Sequence, residues 1–305
     1  MSDAHPHAML SLRVQTPFWI CTIIWGTTWI VIRDQLGIVP PSWSVTYRFL
    51  VAGLAMFAYA AWHKEGLRLG RGGQAFAMMF GIAQFVFNFN FVYRAEAHIT
   101  SGLVAVIFAM LIVPNTLLAR AFLGTRPTGR FYLGSLVAIA GIALLFLKEY
   151  RDGAGTSSNV ALGIGLTLAG VMSASCANIL QATPRAKTWP IASLLAWGML
   201  WGAIGNAVFA WVTAGPPVID MRVGYLAGVA YLGIMASAVA FMAYFSVIRL
   251  IGPGPAAYSG VITPVLAMLL STLFEGYHWT TLAAAGGALA MAGLVIALTA
   301  RRPAA

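Results

Sequence analysis

The chain has 305 residues, of which 60% are hydrophobic and only 9% charged, and it carries a formal net charge of +10. A soluble domain carries about 25% charged residues, so this composition excludes a water-soluble enzyme or binding module and points to a surface that faces lipid. The positive charge does not indicate nucleic acid. No basic cluster is interleaved with stacking aromatics outside the apolar runs, and Lys and Arg collect in the cytoplasmic loops of membrane proteins.

Residues 1–16 lack a basic start followed by a short apolar stretch and a small-residue cleavage site, so they read as a cytoplasmic tail. A helix needs about 20 apolar residues to cross the hydrocarbon core. The spans that qualify are 17–35, 42–62, 74–93, 99–122, 130–147, 160–182, 189–211, 224–247, 254–274 and 280–299. The split between the third and fourth rests on Arg94, Glu96 and His98. Placing the N-terminus in the cytoplasm puts twelve Lys and Arg on that side and five on the other, with Arg48 inside a span. That bias predicts both termini inside. The tails are then 1–16 and 300–305, and the hydrophilic link 148–159 is periplasmic.

Polar and aromatic residues within the spans are the candidates for a site. In the first span Trp25 is deep enough to line a cavity. In the second, Arg48 lies about two turns from the helix end, within snorkelling reach, which favours a structural role. Gln84 and Asn88 lie four apart on one face of the third span. Two amides there avoid lipid and suit either a polar ligand or interhelical bonding. Asn90 points elsewhere. Asn178 and Gln181 end the sixth span, behind Ser173 and Ser175, and suit a cavity wall or helix contacts equally. Asn206 reads as an interhelical bond. Tyr244 and Tyr258 complete the aromatic candidates, although most Trp and Tyr in such proteins form interfacial belts. Pro114 and Pro264 interrupt the fourth and ninth spans, and a helix-interior proline frees a carbonyl and permits bending. They are candidate hinges, or simply kinks.

The two halves resemble one another. A shift of 152 positions aligns Leu118 with Leu270, Phe122 with Phe274, Gly124 with Gly276, Thr128 with Thr280, Gly134 with Gly286 and Gly141 with Gly293. Units of five helices, 17–147 and 160–299, are odd in number, so the second enters the membrane in the opposite sense. Inverted repeats of this kind enclose a midplane site in many secondary transporters.

Trp25-Gly26, Arg48-Phe49, the small-residue pattern of the fifth and tenth spans and Phe274-Glu275-Gly276 resemble the drug/metabolite transporter superfamily, in its EamA branch. Taken whole, the sequence is most similar to the YddG-type exporters of aromatic amino acids. The resemblance implies an all-α integral membrane fold of ten helices, a central cavity, and export from the cytoplasm through a bacterial inner membrane. One departure is Leu123-Gly124-Thr125, where family members often carry an acid; the second half keeps it as Glu275.

No Asp or Glu lies at mid-depth in any span, whereas proton relays generally use such groups. The cavity is therefore expected to be close to neutral, suited to a neutral or zwitterionic metabolite such as an aromatic amino acid, and movement facilitative. Substrate contacts are expected from Trp25, Gln84, Asn88, Asn178, Gln181, Tyr244 and Tyr258. No cofactor is expected. Cys21 and Cys176 lie in apolar runs without partners at metal-ligand spacing, so no metal or disulfide is expected either. The protein is expected to work as a monomer in the bilayer. A multidrug or other metabolite permease of the same superfamily is the alternative. A membrane enzyme would need paired carboxylates, a metal-ligand cluster or a nucleophile motif, none of which the sequence shows. A channel would not need inverted repeats and usually lines its pore from several chains or shows a filter motif, so both stand as weaker alternatives.

Overall fold

The computed structural model describes residues 11–124, 127–152, 157–251 and 259–298, and the regular structure among them is helical. Helix α1 is Leu12–Asp34 and α2 is Pro41–Trp62. Helix α3, Gly70–Ala95, is π-wound over Ile82–Phe87. Helix α4, Ser101–Leu123, contains a 3₁₀ turn at Ala109–Leu111. Then come α5 (Gly129–Asp152), α6 (Ser157–Ala182) and α7 (Ile191–Ala214). Helix α8 starts with Val223–Ala230, is π-wound over Tyr231–Val239, and ends with Ala240–Ile251. Helices α9 (Ser259–Phe274) and α10 (Thr281–Leu298) follow.

Helices α2, α3, α4, α6, α7 and α8 are long and apolar enough to cross a membrane, and α5, α9 and α10 contain shorter apolar helices. Helix α1 begins before the span edge predicted at 17, and α5 continues past the edge predicted at 147. Hydropathy reports depth in lipid, whereas the backbone ladder runs on into polar residues such as Lys148 to Asp152. Large apolar side chains, among them Trp62, Val212, Val223 and Leu273, stay exposed on the outside, as a lipid-facing surface requires.

Two kinds of contact join the helices. The first is polar. Asn90 accepts a hydrogen bond from Ser42 and donates to Asn206, while Arg94 donates to both Asn90 and Ser42. This network ties α2, α3 and α7 together, so Asn90 and Asn206 are structural, as their positions predict. The second is close backbone approach. A Cβ on Gly141 would stand 2.3 Å from the Ala290 nitrogen, and one on Gly293 would stand 2.2 Å from the Ala138 nitrogen. No side chain fits there, so α5 and α10 pack backbone to backbone, as glycine-rich membrane helices do.

Candidate substrate chamber

Seven helices surround a central cavity of about 1000 Å³, measured out to its mouth. One face of α1 supplies Trp25, Thr28, Trp29 and Ile32 at helical spacing. The Trp25 ring packs 5.0 Å from Tyr244 and 5.4 Å from Phe241, both on α8. The Trp25 indole donates to the Ala236 carbonyl at 3.2 Å, which fixes the ring. On the other side Trp29 packs 5.6 Å from Phe108 of α4.

The polar part comes from α3 and α2. Gln84 lies within the π-wound stretch and Asn88 just after it. Both are buried against the cavity. A π turn leaves carbonyls without their α-helical partners, and neighbouring helices take them up. Ser173 of α6 donates to the Ala83 carbonyl at 2.8 Å, and Asn206 of α7 donates to the Phe85 carbonyl at 2.9 Å. The π stretch of α8 is served by Trp25 of α1 on Ala236 and by its own Ser237 on Leu232.

Arg48 lies on the cavity wall with 1% of its surface exposed. This corrects the expectation of an uncharged cavity and of a snorkelling side chain. The guanidinium turns inward because Ser237, Phe89 and the Tyr93 hydroxyl hold it. Its Nε donates to Ser237 at 2.9 Å, and its plane lies 4.4 Å from the Phe89 ring centroid. Arg48 Nη1, Trp29 Nε1, Gln84 Oε1, Asn88 Oδ1 and Thr263 Oγ1 are all buried, all belong to cavity residues, and have no hydrogen-bond partner.

Of the other expected site residues, Asn178 lines the cavity and donates to Asn115 at 3.4 Å. Gln181 is half-buried in the last turn of α6 and is not part of the wall. Tyr258 lies outside the described residues. Pro264 stands on the wall inside α9. Pro114 does not, but its neighbours Ile112 and Asn115 do. Lacking an N–H, Pro114 cannot bond the Met110 carbonyl, and the 3₁₀ turn lies at that point. Asn115 escaped the sequence reading, although it is the first polar side chain after the apolar run from Gly102.

The family model described as the EamA-like transporter family matches residues 18–147 and again residues 161–299. The chain belongs to the EamA-like transporter family. Among its relatives, "Uncharacterized inner membrane transporter YedA" of Escherichia coli K12 is 28% identical over 263 residues, 83% of this chain and 80% of that one. "Probable amino-acid metabolite efflux pump", also of Escherichia coli K12, is 25% identical over 287 residues, covering 91% and 92%. A crystal structure at 20% identity superposes with a TM-score of 0.69 over 95% of this chain and 98% of its own, which shows the shared fold.

In this EamA-like protein the chain is tightly packed where α1 and α3 end. Gln35, Glu96, Ile99 and Leu103 are all buried there. Arg33 of α1 donates to the Glu96 carbonyl and stands 3.9 Å from the Glu275 carboxylate. Glu275 also accepts from Ser101 at 2.8 Å and from Ser271. Glu96 is fully buried with neither carboxylate oxygen bonded, and burial, then the nearby Glu275, push its carboxyl well above the usual range. The second half of α4, Ile112–Leu123, has no fully buried residue.

Proposed function

We propose that this EamA-like transporter exports small neutral or zwitterionic metabolites, aromatic amino acids foremost, across the bacterial inner membrane by alternating access. The observation that carries the reading is the cavity itself, with aromatic walls around buried polar atoms that lack partners. An unpaired polar group in hydrocarbon costs several kcal/mol, so such atoms are kept where a ligand completes them. Trp25, Tyr244 and Phe241 offer stacking surface, and Gln84, Asn88 and Asn178 offer polar contacts. The printed names of the two Escherichia coli relatives, one an inner membrane transporter and one an amino-acid metabolite efflux pump, agree with this.

The architecture proposed is ten crossings in two inverted five-helix units, with both termini cytoplasmic. Two separate matches to one family model support the duplication. Gly124 and Gly276, aligned by the same shift of 152, both turn in the left-handed region at φ 69° and 67°. The third helix of each half is π-wound. Gly134 approaches Gly293 while Gly141 approaches Gly286, and the shift exchanges one contact for the other. That reciprocity is what a two-fold axis between the halves produces. Pro114 and Pro264 are the proposed bending points.

Purified protein in liposomes should take up labelled phenylalanine saturably, and unlabelled phenylalanine inside should accelerate uptake. A non-saturable flux would instead indicate a channel. Saturable flux of unrelated amphiphiles with no competition by any amino acid would favour the multidrug reading.

A further inference from the structure

We infer that Arg48 is the anchor for the substrate's carboxylate and that Gln84 and Asn88 receive its ammonium group, an assignment that rests on the amino-acid carrier reading above. Arg48 is buried, yet among the described residues no carboxylate stands within ion-pair distance of it. Glu96, where α3 ends, feels its charge, but neither Glu96 oxygen is bonded. Ser237 occupies Nε, Phe89 covers one face of the guanidinium, and the Tyr93 hydroxyl bonds the side chain as well. Nη1 is left without a partner. A guanidinium fixed along one edge and open along another presents the geometry that receives a carboxylate.

The other unpartnered atoms sort by chemistry. Arg48 Nη1 and Trp29 Nε1 are donors with no acceptor, while Gln84 Oε1 and Asn88 Oδ1 are acceptors with no donor. A carboxylate only accepts and an ammonium only donates, so a zwitterion completes both sets at once. An amine lacking the carboxylate leaves Arg48 unmatched, and an acid lacking the ammonium leaves the amides unmatched. The substrate side chain then has the Trp25, Phe241 and Tyr244 surface. A merely structural Arg48 would need only the Ser237 and Tyr93 bonds and the Phe89 stack, and would not read the carboxylate.

The test is counterflow of labelled phenylalanine in proteoliposomes, with phenylalanine, phenethylamine and 3-phenylpropionate as competitors. In the wild type, phenylalanine should compete at tenfold or more lower concentration than either analogue. In Arg48→Gln the preference over phenethylamine should collapse toward onefold, while the preference over 3-phenylpropionate persists. Gln84→Ala should do the reverse, and Arg48→Lys should keep part of the carboxylate preference. Phenethylamine competing as well as phenylalanine in the wild type overturns the anchor without any variant. So does Arg48→Gln that transports and keeps the full preference. Absence of saturable phenylalanine flux in the wild type overturns the amino-acid reading, and the anchor with it.

Discussion

Glu96 is buried where α3 ends, with Glu275 close enough to feel its charge. With both oxygens buried and unbonded, its charged form is poorly solvated, and with Glu275 nearby this outweighs the pull of Arg33 and Arg48. Its carboxyl in the folded protein therefore titrates above the ordinary value of 4.5. The sign follows from linkage: the folded state holds this proton more tightly than the unfolded state does. The contribution is fully present below the ordinary carboxylate range and is lost as pH rises through the raised value. Glu96→Gln, which keeps the neutral shape, should flatten the fall of melting temperature at rising pH in detergent. A variant whose melting curve tracks the wild type at every pH would show that Glu96 does not titrate in that range. At this scale the sequence is partly legible. Gln84 and Asn88 could be read because four-residue spacing guarantees a shared face. Arg48 could not, because distance from a helix end says nothing of Ser237, which lies 189 positions away and draws the guanidinium inward.

The π-wound stretches of α3 and α8 set the direction of the helix segments that follow them. Their winding is stable because side chains on other helices accept the work of bonding their carbonyls. Asn206 is the clearest case, since one amide serves Phe85, Gly202 and Asn90. A single interhelical hydrogen bond in membrane proteins contributes about 0.6–2 kcal/mol, and leaving a buried carbonyl without a partner costs about 1–3 kcal/mol. Asn206→Ala should therefore destabilise the protein by about 1–3 kcal/mol, seen as a lower melting temperature. Thr213→Ala, which removes only a bond within its own helix on the exposed face, serves as the neutral control. Helix positions were legible from hydropathy because lipid imposes the length. The π winding was not, because Ile82–Phe87 has the composition of any apolar helix and the groups that stabilise it come from α6 and α7.

Across the whole molecule, α5 and α10 join the two matched halves through glycine contacts that leave no room for a methyl group. Forcing one in costs about 1–3 kcal/mol or drives the backbones apart. Gly141→Ala should lower the melting temperature, whereas Gly165→Ala, where an added Cβ meets nothing within 4 Å, should hold or raise it. Equal behaviour of the two would count against the close packing. The register of these glycines was visible in the sequence as a repeat, but which glycine meets which depends on how the units face each other. Helix α4 shows a different asymmetry. Its first half, Ser101–Ile107, is buried throughout, and its second half is buried nowhere, with the 3₁₀ turn between them. Mechanically that is a beam clamped at one end and held more lightly beyond a notch, where Asn115 accepts from Asn178 of α6. Bending at the notch would uncover no fully buried side chain of the outer arm, at the cost of its Asn115–Asn178 bond.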